Sequence, residues 1–154
     1  MQKPFERTTK HYSMKPRINL ITLGVNDLKQ SVDFYEKGLG WKKSNASQEG
    51  VAFFQLNGIV LSLFSREELA KDAHVPSEGQ GFSGITLAYN AKSEQEVDEV
   101  IAKVKSLGAT ITKTPQKVFW GGYSSYFKDL NGHLFEVAYN PFFEFDERDI
   151  LKLE

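Results

Sequence analysis

The sequence predicts an α+β protein built from two tandem βαβββ modules, which form a curved, partly open mixed sheet around a central cleft. Three observations carry this prediction: an internal repeat, paired helix starts and stops, and paired Asn-Gly turns. Val32-Asp33 is answered by Val97-Asp98, and Leu39-Gly40 by Leu107-Gly108. Self-similarity of this kind marks units that cannot bury an apolar face alone and must pack against a copy.

The first module, over 17–78, opens on Ile18 to Val25, a run rich in β-branched residues that reads as a buried strand. Asp27 followed by Gln30 is a capping box, in which two side chains satisfy free N–H groups at a helix start. Leu28, Val32, Tyr35 and Leu39 form one helical stripe, and Gly40 stops the helix. Strands are expected at Trp41 to Ser44, Val51 to Leu56 and Ile59 to Phe64, the last two joined by Asn57-Gly58. A short charged helix and a loop follow from Arg66 to Pro76.

The second module, over 79–141, repeats the order. Phe82 to Tyr89 is a strand, and Ser93 with Glu96 is a second capping box. Val97, Val100, Ile101, Val104 and Leu107 supply the helical stripe, with Gly108 as the stop. Strands at Thr110 to Lys117, Tyr123 to Lys128 and His133 to Tyr139 complete it, the last two joined by Asn131-Gly132. Residues 1–16 are a polar, basic arm, and 142–154 a tail that covers an edge.

Composition narrows the function classes. Net charge is −1 with Lys and Arg scattered, so there is no concentrated positive field for nucleic acid or an anionic membrane. No cysteine is present, which excludes disulfides, thiolate metal sites and a cysteine nucleophile. No apolar run reaches the ~18 residues of a membrane span. A cytoplasmic protein is expected. Neither a phosphate loop nor a Gly-x-Ser-x-Gly elbow occurs.

The stretch Leu23-Gly24-Val25-Asn26-Asp27-Leu28, then Ser31-Val32-Asp33-Phe34-Tyr35 and Leu39-Gly40-Trp41, resembles the vicinal oxygen chelate superfamily. So does the ending Asp129-Leu130-Asn131-Gly132-His133-Leu134-Phe135-Glu136-Val137. That superfamily contains glyoxalase I, extradiol dioxygenases, fosfomycin-resistance enzymes and bleomycin-binding proteins. Phe119-Trp120-Gly121-Gly122-Tyr123 is similar to a bacterial branch described only as glyoxalase-like. The resemblance implies the fold and a pocket. It does not imply a reaction, because the fold hosts both catalysis and simple binding.

The resemblance further implies where a divalent metal would be held. The usual first-strand histidine falls on Leu20, its second-half equivalent near Gly84, and the ligand position on the first module's last strand near Ser62. Only the closing-strand carboxylate is matched, at Glu136. A metal site needs at least three converging donors, so no metal ligands and no cofactor are assigned. His11, His74 and His133 are scattered and do not form an alternative set.

Glu136 is the candidate catalytic residue, as an acid/base or as an anchor for a ligand. Candidate ligand-binding residues are Leu20, Thr22, Phe53, Gln55, Ser62 and Phe64 from the first module and Trp120, Tyr123 and Tyr126 from the second. Trp and Tyr rings offer flat apolar faces with a polar tip. The favoured function is binding of a small organic molecule without a catalytic metal. A metal-dependent lyase, isomerase or dioxygenase, and a structural protein with a closed cleft, stay open, so enzyme status is undecided. A homodimer is compatible with the apolar Pro141-Phe142-Phe143 tail.

Overall fold

The computed structural model describes Met14, Pro16, residues 18–83 and residues 85–153. The expected arm at 1–16 (apart from Met14 and Pro16), His11 and Gly84 therefore lie outside the described residues.

The first half contributes β1 (Leu20–Val25), α1 (Leu28–Asp33), β2 (Val51–Gln55), β3 (Val60–Ser65) and α2 (Arg66–Asp72). The second contributes β4 (Leu87–Ala91), α3 (Glu94–Ser106), β5 (Thr110–Lys117), β6 (Tyr123–Lys128) and β7 (Leu134–Tyr139). A small hairpin, β8 (Glu144–Phe145) with β9 (Leu151–Lys152), ends the chain. The sheets are β1-β3-β2 and β4-β7-β6-β5, with β1–β3 and β4–β7 parallel and the remaining pairs antiparallel. This is the expected α+β class with open mixed sheets. No helix among the described residues is long and apolar enough to cross a membrane.

Local chemistry explains the helix ends. Asp27 Oδ1 accepts from Gln30 N at 2.9 Å, and Ser93 Oγ from Glu96 N at 3.1 Å. Glu96 does not close its box onto Ser93. Its carboxylate takes the next amide, Lys92 N, at 2.7 Å, and the Tyr89 hydroxyl. After Asp33 the helix widens into a π turn, Phe34–Gly38, with Leu39 N bonded to Phe34 O at 3.0 Å. The widening lets Gly38 meet Leu107 of the second half, where an added Cβ would come within 2.7 Å of its side chain.

Two expectations are corrected at this level. Trp41 to Ser44 is no strand; only an isolated bridge, Lys43 to Phe54, remains of it. The strand expected from Phe82 begins at Leu87, and Phe82 and Ile85 are exposed. The tail forms its own hairpin.

Both halves share one core. Leu23, Val25, Phe54, Leu61 and Leu63 belong to the same buried cluster as Val97, Val104, Phe127, Phe135 and Val137. At about 25 cal/mol per Å² of apolar surface buried, a core spanning both halves ties the stability of each to the other. Polar contacts fix the seam: Tyr35 Oη donates to Asp129 Oδ2 at 2.7 Å, Asn131 Nδ2 to Ser31 Oγ at 2.9 Å, and Asn26 N to Asn131 Oδ1 at 2.9 Å. His133 Nε2 lies 2.8 Å from Gly24 O. A carbonyl only accepts, so that nitrogen carries the proton.

Candidate functional site

Side chains alternate between the faces of a strand, so the core residues identify the opposite face. In the first sheet Leu23, Ala52, Phe54, Leu61 and Leu63 enter the core. Leu20, Thr22, Phe53, Gln55, Ser62 and Phe64 therefore share the outer face. The register sets Thr22 opposite Ser62 and Ser62 opposite Phe53, and sets Leu20 and Gln55 either side of Val60. All six candidates of the first module lie on one surface, and Ser62 is buried within it.

In the second sheet Phe127, Phe135 and Val137 enter the core, which places Ser124, Tyr126, Glu136 and Ala138 on the outer face. Here a continuous row crosses four strands: Ala88 opposite Glu136, Glu136 opposite Tyr126, and Tyr126 opposite Lys113. Lys113 Nζ donates to Ser124 Oγ at 2.7 Å and stands 5.5 Å from the centre of the Tyr126 ring. Burial, and then the neighbouring Glu136 carboxylate, hold the Tyr126 phenol above its usual pKa. A carboxylate, a phenol kept neutral and an ammonium thus stand side by side. The row offers an acceptor for a ligand amine or hydroxyl, a π face, and a positive charge for an anionic group.

Lys113 and Ser124 were not among the sequence candidates. Regular alternation from Ile111, which pairs with Phe127, would set Lys113 beside the buried Ser125. A register shift between Ile111 and Lys113 moves the lysine to the face of Tyr126. An extra residue in a strand reverses the side on which everything after it lies.

Two candidates stand elsewhere. Tyr123 is on the helix side, opposite Tyr139, and its hydroxyl donates to Asp98 Oδ1 on α3 at 2.7 Å. Trp120 lies in the β5–β6 turn with its ring over Gly122, where an added Cβ would come within 1.6 Å of the indole. A side chain at Gly122 would displace the indole.

The two outer faces do not confront each other within one chain, since the sheets give their opposite faces to a common core. A cleft of about 1190 Å³ does lie between the halves, bordered by α3, the segment Gly38 to Trp41 and the tail hairpin. Of the candidate residues only Gln55 lines it; Glu136 does not.

The donor set does not fit the divalent metal expected of the fold. No group of three His, Cys, Asp or Glu residues converges among the described residues. On the outer faces Leu20 is an alkyl group, Ser62 a neutral hydroxyl, and Glu136 the one carboxylate among the expected ligand positions. Gly84, outside the described residues, has no side chain to donate. A second copy would bring the same four residues and add no donor of a new kind.

Residues 17–137 match the Glyoxalase/Bleomycin resistance protein/Dioxygenase superfamily. The chain belongs to this superfamily. Among relatives of this glyoxalase-superfamily chain, metallothiol transferase FosB of Lysinibacillus sphaericus is 33% identical over 122 residues, covering 77% of this chain and 79% of that protein. Fosfomycin resistance protein FosX of Listeria monocytogenes is 28% identical over 123 residues, covering 76% and 84%. A solved glyoxalase-related enzyme from Fulvimarina pelagi superposes with a TM-score of 0.81 at 28% identity, over 90% of this chain and 98% of that one. The superfamily architecture extends over residues 17–137 of this chain.

Proposed function

We propose that this glyoxalase-superfamily chain binds a small organic molecule on the outer sheet faces without a resident divalent metal. The observation that carries the reading is the Lys113–Tyr126–Glu136 row, set among expected ligand positions of which Glu136 alone is a carboxylate and none is a histidine. Glu136 accepts a hydroxyl or amine of the ligand, Lys113 meets an anionic group, and Tyr126 supplies a ring face and a proton donor. The Thr22–Ser62–Phe53 row provides the opposing wall when a second copy lays its first sheet against this second sheet. The chain acts as a homodimer in that reading, with no nucleic-acid or membrane partner and in the cytoplasm.

The relatives favour a second reading. FosB is named a metallothiol transferase and FosX a fosfomycin resistance protein. On that reading Glu136 belongs to an enzymatic metal site whose other donors lie outside the expected positions.

One preparation separates the two. Protein purified without chelators is analysed for metal, then titrated with zinc, nickel and manganese by calorimetry. A thermal-shift panel of aromatic, amphipathic and phosphonate compounds, fosfomycin included, follows with and without each metal. The first reading expects substoichiometric metal and a stabilising ligand in its absence. Stoichiometric metal, or ligand binding that requires it, overturns it in favour of the second.

A further inference from the structure

The cleft between the halves reaches the outer faces only at Gln55, Val60, Ala88 and Asn90, does not include Lys113, Tyr126 or Glu136, and has its own chemistry. Its walls are mainly apolar, with Ile21 and Leu61 from the first sheet, Leu87 and Phe135 from the second, and Val100 and Val104 from α3. Its volume of about 1190 Å³ exceeds the roughly 300–1,000 Å³ of ordinary small-molecule pockets. An apolar ligand there gains both packing against this lining and burial from water.

Charge at the rim selects among apolar occupants. Three carboxylates line it, Glu96, Glu99 and Asp149, against the ammonium groups of Lys92 and Lys103. Lys92 is committed to Asp149 by an ion pair. Glu99 accepts only the Gln95 amide, at 2.8 Å, among the described residues. Trp41 and Tyr89 add aromatic rings to the lining. A net negative rim with aromatic faces attracts a cation.

The tail hairpin closes one side. Phe145 and Leu151 line the cleft, while Asn57 Nδ2 donates to Arg148 O and Lys92 pairs with Asp149. The strap is thus pinned to the first half at Asn57 and to the second at Lys92.

We infer that this inter-half cleft is a second ligand site, for a hydrophobic cation: a hydrocarbon body ending in an amine or quaternary ammonium. The body lies between the sheets and α3 under the tail hairpin. The charged end sits at the rim beside Glu99.

Trp41 lines the cleft and Trp120 does not, so the full chain carrying Trp120→Phe has a single reporter there. Its fluorescence is titrated with decyltrimethylammonium and with decanoate, both below micelle formation. The expected result is a saturable change with the cation and binding about tenfold tighter than for decanoate, the scale of one cation–π or paired-charge contact. Glu99→Gln, an exposed substitution that leaves the core untouched, brings the two affinities together. Val100→Phe, which fills the cleft, weakens both. No saturable signal, decanoate binding as tightly as the cation, or an unchanged preference in Glu99→Gln each overturns the inference. Glu99→Gln and Val100→Phe leave the Lys113–Tyr126–Glu136 row intact, so a thermal shift that survives both variants belongs to the outer faces, the Trp41 response belongs to the cleft, and either site can fail alone.

Discussion

Tyr35 in the first half donates its hydroxyl proton to Asp129 in the second, 2.7 Å away and buried at the seam between them. The other carboxylate oxygen, Oδ1, accepts from Asn131 N and His133 N at 2.9 and 2.8 Å, holding the closing turn before β7. One buried carboxylate therefore shapes a turn in one half and receives a helix side chain from the other. Tyr35→Phe keeps the ring contacts with Trp41 and Phe54 but leaves Oδ2 without its donor. The expected cost is about 1–3 kcal/mol, the penalty for an unsatisfied buried polar group. Urea unfolding measures it, and a change below the error of the method would show that water replaces the phenol.

Alkaline pH should weaken the protein. Burial and then the Glu96 carboxylate push the Tyr89 pKa up to about 12. Burial, and then Asp129, push the Tyr35 pKa well above the tyrosine range. The folded state keeps protons that the unfolded chain releases near pH 10, so the unfolded state binds fewer protons and stability falls as pH rises. This contribution is fully present below about pH 10, and Tyr89's share is lost as pH climbs through about 12. Urea midpoints measured across that window should decline. Tyr89→Phe should flatten part of the slope and leave the Tyr35 part in place.

On the outer face, Glu136→Gln removes the carboxylate beside Tyr126 but not the burial. The Tyr126 pKa should move down toward its usual value without reaching it, because burial is the larger cause. Tyrosine-labelled NMR titration of both proteins resolves this residue from Tyr35 and Tyr89. An unchanged Tyr126 would show that the two groups do not communicate.

Lys113 explains why this surface was only partly legible in the sequence. Leu20, Ser62 and Glu136 are singled out by the resemblance and Tyr126 by its ring; pairing without irregularity in β1, β3, β6 and β7 sets Leu20, Thr22, Ser62 and Phe64 on one face and Tyr126 with Glu136 on another. On β5 the register shift after Ile111 reverses the face, so simple alternation would put Lys113 on the wrong side. Tyr123 was grouped with Trp120 by composition, yet its own parity with Phe127 places it toward α3 and Asp98. The halves were legible from their caps and turns, since those are local chemistry. Their mutual placement rests on distant contacts such as Tyr35 with Asp129, which no local pattern encodes.

Lys113→Met tests whether the row acts as a unit. The substitution keeps an unbranched chain over Tyr126 while removing the ammonium and its bond to Ser124. A ligand with an anionic group, found by the thermal-shift panel, should bind about tenfold more weakly, as expected for one lost charge-assisted hydrogen bond. A neutral ligand should be little affected, and calorimetry on the pair distinguishes the cases. Equal losses for both would assign Lys113 to packing of the sheet.

The assembly can be tested at Leu20, which is 42% exposed at the start of β1, with Ile18 beside it 59% exposed. Apolar side chains in such numbers at the edge of an outer face gain from cover by a second copy. Because Leu20 contributes little to the shared core, Leu20→Asp should alter the stability of a single chain by no more than about 0.5 kcal/mol. At an interface the same change buries an unpaired carboxylate and disfavours association. Light scattering should therefore find the wild type dimeric and Leu20→Asp monomeric, with ligand binding on the outer face lost and the Trp41 response retained. A wild type that is monomeric at every concentration retires the dimer. Retained outer-face binding in Leu20→Asp would mean that the Lys113–Tyr126–Glu136 row recognises its ligand without an opposing wall.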